Sequence, residues 1–76
     1  MPHVIVKLQS GRSRAQKEEI AQAVTRAVMA SAKCSEAAIS VSIEDVAVRD
    51  WTATVYNPDI LQKPDTLYKK PSYDPL

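Results

Sequence analysis

The sequence predicts a mixed α/β (α+β) domain: a βαβ unit with parallel strands, then a short C-terminal strand and helix, completed by oligomerisation. Three patterns predict this fold class. They are a β-branched run near the N-terminus, an amphipathic helical stretch in the middle, and a later stretch that alternates apolar and polar residues. A helix between two strands is typical of a parallel pair. At 76 residues, the chain is expected to form one domain, 1–76.

The first predicted strand runs from Val4 to Leu8 and is rich in β-branched residues. Because side chains alternate across a strand, Val4, Val6 and Leu8 share one face, whereas Ile5 and Lys7 share the other. The apolar face is expected to pack against the helix that follows.

A helix is predicted from Gln16 to about Lys33. Ser13 precedes Gln16 by three residues, which is the spacing of a capping box. Gly11, the only glycine in the chain, marks the turn between strand and helix. Apolar side chains at helical spacing form one stripe, made of Ile20, Ala23, Val24, Ala27 and Val28.

The second predicted strand, Ala38 to Val46, alternates between two faces. Its apolar face is expected to pack on the helix, and its other face is polar. A sheet with one polar face favours a dimer over a larger ring. The apolar face consists of Ile39, Val41 and Ile43, and the polar face consists of Ser40, Ser42 and Glu44.

The last third of the chain gives weaker signals. Thr52 to Tyr56 is interpreted as a short strand, and Asn57-Pro58-Asp59 as a turn. Pro64 suits the first position of a short helix that continues to about Lys69. Four prolines follow residue 57, so this third is expected to wrap a surface or a partner.

Composition excludes several classes of protein. Cys34 is the only cysteine and His3 the only histidine, which rules out an internal disulfide and argues against a metal cluster. A net charge of +1 gives no basic patch for nucleic acid or membrane. No apolar run has the length of a membrane span, and no export signal is visible, so a cytoplasmic protein is expected. A domain this small gains stability from a partner subunit, which predicts a homo-oligomer.

Taken together, several short motifs spread over the whole chain make the sequence resemble the 4-oxalocrotonate tautomerase family. The resemblance is to its small dimeric PptA-like subgroup in particular. The motifs are Met1-Pro2 before the first strand, Gly11-Arg12-Ser13, Gln16-Lys17, Trp51, and the stretch from Leu67 to Tyr73. The resemblance implies a keto–enol tautomerase that needs no cofactor. It also implies a small-molecule substrate, an enol or dienol carboxylate such as a 2-hydroxydienoate or an arylenolpyruvate.

The resemblance also implies roles for three residues. Pro2, as the amino-terminal residue after loss of Met1, is the general base. Arg12 binds the distal carboxylate of the substrate, and Trp51 forms an aromatic wall. Ser40 departs from the family, because it lies where a second arginine is expected. Arg14, Arg49 or a C-terminal lysine remain as substitutes for that cation.

The chemistry suits these residues, although each has a plainer interpretation. A free α-amine has a pKa of about 7.7–8, near the pH at which a general base works best. A guanidinium fork matches a carboxylate, and an indole excludes water. The plainer interpretations are a harmless terminal Pro2, a solvated Arg12, and Trp51 in the core or an interface. His3 is interpreted as a surface or interface residue.

Two alternative functions stay open. Proteins of this fold also carry out decarboxylation and dehalogenation, so the fold alone does not fix the reaction. The missing arginine at Ser40 keeps that alternative in view. The other alternative is a non-catalytic dimeric binding module, in which the proline is incidental.

Overall fold

A computed structural model describes residues 1–75 of the chain. Strand β1 spans His3–Gln9, helix α1 Arg14–Ala32 and strand β2 Ser40–Val46. The strands are adjacent and parallel, with Val4 opposite Val41. This βαβ unit confirms the predicted fold class.

Helix α1 begins at the predicted capping box. The Ser13 hydroxyl accepts a hydrogen bond from the Gln16 N–H at 3.1 Å, and the Gln16 amide oxygen accepts from the Ser13 N–H at 2.9 Å. Both satisfy donors at the helix start that have no partner within the helix. The helix ends at Lys33, whose φ of 58° places it in the left-handed region.

The two faces of the sheet are covered by different parts of the chain. Helix α1 packs against β2, and the Lys17 ammonium lies 2.7 Å from the Asp45 carboxylate. On the opposite face, the Lys7 ammonium lies 2.6 Å from the Asp59 carboxylate. The C-terminal segment therefore reaches the face of the sheet that the sequence left polar and uncovered.

The predicted C-terminal strand and helix are wrong. Thr52–Leu61 is a π-helix, so Asn57-Pro58-Asp59, predicted as a turn, lies inside a helix. Trp51 is already helical, with φ −58° and ψ −50°. A proline ring clashes with the carbonyl four residues earlier in an α-helix, and the wider π turn gives Pro58 room.

The segment from Pro64 to Lys69 forms turns rather than the expected helix. The Thr66 N–H donates to the Lys63 carbonyl at 3.3 Å, which closes a single turn. Proline at a first helical position permits a helix but does not supply the later hydrogen bonds that would propagate one.

The core of a single chain is small. Of the described residues only Val55 and Tyr56 are buried, at 5% and 7% exposure. The chain exposes 5840 Å², whereas a compact monomer of this mass exposes about 4,600 Å². The excess is comparable to the roughly 800 Å² that each partner buries in a standard interface. A single chain therefore has surface to spare for an interface.

Candidate functional site

Pro2 is fixed at the first end of the sheet. Its carbonyl accepts a hydrogen bond from the Ser40 N–H at 3.2 Å, which extends the pairing of β1 and β2 by one residue. Pro2 is half-buried, while Met1 before it is fully exposed. The proline therefore has a defined position, and the Met1 residue attached to it is open to solvent.

His3 and Ser40 form a hydrogen-bonded pair beside Pro2. They are opposite each other in the register, and His3 Nδ1 lies 2.7 Å from Ser40 Oγ. The position where the resemblance expects an arginine thus holds a hydroxyl engaged with an imidazole. Sequence reasoning treated these two residues separately, although an assumed parallel register would have paired them.

Arg12 lies beyond the other end of β1. Its side chain is exposed, and Nη1 donates a long hydrogen bond of 3.5 Å to the Gln9 carbonyl. Gly11 before it has φ 135°, a conformation that favours glycine and turns the chain away from the strand. The turn leaves the guanidinium able to meet an anion from solvent or from a neighbouring subunit.

Trp51 forms one wall of a cavity of about 390 Å³. Its indole Nε1–H donates to the Tyr73 hydroxyl at 2.9 Å. The Tyr73 ring packs against Tyr56, with centroids 5.7 Å apart and planes at 47°, a tilted arrangement that aromatic pairs favour. Tyr73 was missed as a site residue, because it belongs to a stretch on which the resemblance rests but to which the resemblance assigned no role. The cavity is lined by Gln9, Val48, Trp51, Thr52, Tyr73 and Pro75.

The three residues implied by the resemblance do not meet within one chain. Arg12 and Trp51 both neighbour Gln9, at the end of β1. Pro2 lies before the start of β1, seven residues away, and a strand rises about 3.3 Å per residue, so the two ends are about 23 Å apart. One protomer thus holds two candidate half-sites, one at each end of its sheet.

A cluster of charged side chains lies along β1 between the two candidate half-sites, where Lys7 meets Asp59. The hydrogen bond from the Lys7 ammonium lowers the pKa of the Asp59 carboxyl, against an opposing effect of burial. The same bond raises the pKa of the Lys7 ammonium. Lys63 adds a second cation at 3.7 Å from Asp59. This cluster joins β1 to the π-helix and has a structural rather than a catalytic position.

Residues 1–75 contain no group of three or more His, Cys, Asp or Glu side chains placed to hold a metal ion. No helix in this part of the chain has the length and apolar character needed to cross a membrane.

Comparison with protein families and curated relatives gives a consistent picture. A family model described as "Tautomerase enzyme" matches residues 2–55. A "Probable tautomerase" of Xylella fastidiosa is 41% identical over 76 residues, covering all of this chain and 93% of the relative. "Tautomerase PptA" of Cronobacter sakazakii is 31% identical over 75 residues, covering 97% of this chain and 99% of the relative.

Solved structures agree with this picture. A 4-oxalocrotonate tautomerase isozyme from Methylibium petroleiphilum is similar with a TM-score of 0.61 and 25% identity. The match covers 63% of this chain and 75% of that one. A second structure, YwhB, described as a homologue of 4-oxalocrotonate tautomerase, has a TM-score of 0.59 and 39% identity. That match covers 60% of this chain and 75% of the other.

Proposed function

The chain belongs to the tautomerase family, and we propose that it is a cofactor-independent keto–enol tautomerase with the Pro2 nitrogen as general base. The substrates are arylenolpyruvates or 2-hydroxydienoates. The observation that supports this proposal best is the position of Pro2, held at the sheet end by the Ser40 N–H. A homodimer in the cytoplasm is part of the proposal.

The base requires removal of Met1. While Met1 is attached, the Pro2 nitrogen is an amide with no basic lone pair. Once Met1 is removed, the nitrogen is a secondary amine whose ordinary pKa of about 7.7–8 lies close to neutrality. The full exposure of Met1 gives an aminopeptidase access to this bond. In ketonisation the amine takes the proton of the enol hydroxyl. The resulting ammonium returns a proton to the carbon at the other end of the enol double bond.

The site is completed by a second copy of the chain. A small enol acid cannot span the roughly 23 Å between Pro2 and Trp51 of one protomer. A two-fold axis across a free sheet edge makes the partner's strands antiparallel to β1 and β2. The Pro2 end of one protomer then lies beside the Arg12 and Trp51 end of the other. The excess exposed surface of the single chain supports such an interface.

In this composite site Arg12 and Trp51 bind the end of the substrate remote from the base. The exposed Arg12 fork suits a distal carboxylate, as in a dienoate. Trp51 and its cavity suit an apolar group and exclude water from one side of the substrate. At the reacting end, His3 and Ser40 are the polar side chains beside Pro2.

The first experiment measures ketonisation of phenylenolpyruvate and 2-hydroxymuconate by ultraviolet absorbance, on protein whose mass shows Met1 removed. Pro2→Ala is expected to reduce kcat by about 10²- to 10⁴-fold, with an unchanged circular dichroism spectrum. Pro64→Ala, at an exposed turn position, is the matched control and should keep full activity. Full activity in Pro2→Ala would refute a requirement for the proline ring, and full activity in protein that retains Met1, whose Pro2 nitrogen is a non-basic amide, would refute the proposed base. Absence of turnover of both enols by the wild-type protein would refute tautomerase activity on these substrates, and a 3-haloacrylate and malonic semialdehyde would be tried next.

Mixing two variants that are inactive on 2-hydroxymuconate, the substrate whose distal carboxylate contacts Arg12, tests the composite site. Pro2→Ala and Arg12→Ala chains, dissociated and reassociated together, form mixed dimers with one intact site of two. Since half of the dimers are mixed, the mixture should regain about a quarter of wild-type activity. A mixture that stays inactive would show that the base and Arg12 act within one chain.

A further inference from the structure

Tyr73 connects the C-terminal tail to the candidate site. Its hydroxyl accepts the Trp51 indole N–H at 2.9 Å, and its ring lies 5.7 Å from the buried Tyr56. We propose that Tyr73 is a specificity-determining residue, which orients the Trp51 indole and closes a subsite for the planar aryl group of an enol substrate. The inference rests on the proposed function and adds a residue to it.

The cavity beside Trp51 has the size and lining of a small-ligand subsite. Its volume of about 390 Å³ lies at the lower end of the 300–1,000 Å³ typical of ligand pockets. Two aromatic rings and the apolar Val48 and Pro75 form most of the wall, with Gln9 and Thr52 as the polar members. Tyr73 and Pro75 come from the tail, so without the tail this subsite loses one side.

The hydroxyl of Tyr73 explains why a tyrosine suits this position better than a phenylalanine. An indole N–H is a donor only, and a phenol oxygen can accept its hydrogen bond. This bond restricts the Trp51 side chain to one orientation and so fixes the width of the cavity. The phenol also carries its own proton, which makes it a suitable donor to a polar substituent on a bound ring.

The charges around the cavity favour an aryl group over a carboxylate. None of the described side chains that line it is charged. Arg12 lies outside the lining, on the backbone carbonyl of Gln9. A distal carboxylate would therefore bind at Arg12, whereas an uncharged ring would enter the cavity. Changes at Tyr73 should then affect aryl enols and leave dienoates nearly unaffected.

Steady-state kinetics of Tyr73→Phe and Tyr73→Ala test this specificity. Loss of the hydroxyl should raise KM for phenylenolpyruvate by about 3- to 10-fold, with kcat within about twofold. Loss of the ring should raise it by about 10-fold or more. KM for 2-hydroxymuconate should change less than about twofold in both variants, since that substrate makes its distal contact with Arg12. The matched controls are Tyr68→Phe and Tyr68→Ala, because Tyr68 is 98% exposed. Equal changes for the two substrates, or changes no larger than in the controls, would overturn the proposal.

Trp51 gives a second readout that is independent of catalysis, because it is the only tryptophan in the chain. Tyr73→Phe should shift its emission without ligand, and Tyr68→Phe should not. Cinnamate, a planar aryl acid that does not tautomerise, should quench this emission in Pro2→Ala protein and bind more weakly once Tyr73→Ala is added. That result combined with no turnover by the wild-type protein would reject the proposed reaction and keep the subsite. Quenching that is the same with and without Tyr73 would reject the subsite.

Discussion

The βαβ unit and the C-terminal segment after β2 contribute differently to the secondary structure, the buried core and the candidate site. Residues 1–46 contain both strands and the 19-residue helix α1, yet none of these residues is buried. Residues 47–75 contain no strand, but they supply the two buried residues, Val55 and Tyr56, together with Trp51 and Tyr73. The βαβ unit is a frame, and the C-terminal segment provides the buried residues and most of the cavity lining.

The difference shows that the strands and the α-helix do not by themselves determine where the buried core lies, since Val55 and Tyr56 belong to the π-helix. A two-stranded sheet with one helix encloses little volume and is only marginally stable without further packing. The C-terminal segment crosses to the second face of the sheet and is tied there by Lys7 and Asp59. Changes in the segment should therefore cost more stability than changes of similar size in the frame.

The largest effect is expected for Tyr56→Ala. This substitution removes a buried ring and its contact with Tyr73, and should lower the free energy of unfolding by about 3 kcal/mol. Urea denaturation followed by circular dichroism measures it at fixed protein concentration. Tyr68→Ala is the control, and its exposed position should limit the change to about 0.5 kcal/mol. Equal losses in the two variants would remove the distinction between core and surface in this segment.

A smaller effect is expected in the frame for Ser13→Ala. The variant loses the hydroxyl that accepts the Gln16 N–H, and should lose about 1 kcal/mol of stability in the same urea assay. Ser35→Ala is a close control, since Ser35 precedes a short 3₁₀ turn and makes no capping hydrogen bond. If Ser35→Ala were as destabilising as Ser13→Ala, the capping box would not be the cause.

The smallest effect on stability is expected from removing the Lys7–Asp59 ion pair, which joins the βαβ unit to the C-terminal segment. The size of this effect depends on pH. The lowered pKa of Asp59 makes its contribution fully present above the unfolded-state value of about 3.9. That contribution is lost as pH falls through the folded-state pKa. The raised pKa of Lys7 has the opposite sign, so its contribution is lost only as pH rises through its folded-state value.

Asp59→Asn should therefore be less stable than the wild-type protein at neutral pH and approach it in strong acid. Thermal unfolding measured from about pH 2 to pH 8 covers the ordinary carboxyl range. Asp65→Asn, at an exposed position in the following turn, should follow the wild-type curve. A stability difference that stayed constant down to the acid limit would exclude the carboxylate charge as its origin.

Sequence patterns predicted the frame because its determinants are local. The β-branched run, the capping residues at Ser13 and Gln16, and the alternation in β2 each specify an element within a few residues. The ends of the elements differ from the prediction by a few residues. The C-terminal strand and helix were wrong, because a π-helix has no distinctive short-range pattern and tertiary contacts at Asp59 and Tyr56 fix its place.

The candidate site was likewise predicted from the sequence only in part. Pro2, Arg12 and Trp51 were proposed from sequence, because each belongs to a short motif that the resemblance supplies. Their distribution over opposite ends of β1 follows only from the strand's length and direction. The His3–Ser40 pair depends on the register of two strands 37 residues apart in sequence.

The sequence alone determined the βαβ frame, the start of α1 and the family to which the chain is similar, since these depend on side-chain periodicity and short motifs. Only the tertiary structure decided where the C-terminal segment lies, which residues form the core, and that Tyr73 meets Trp51. The physical reason is the range of the interactions. Hydrogen bonds within elements act over a few residues, whereas burial and side-chain pairing join residues far apart in the chain.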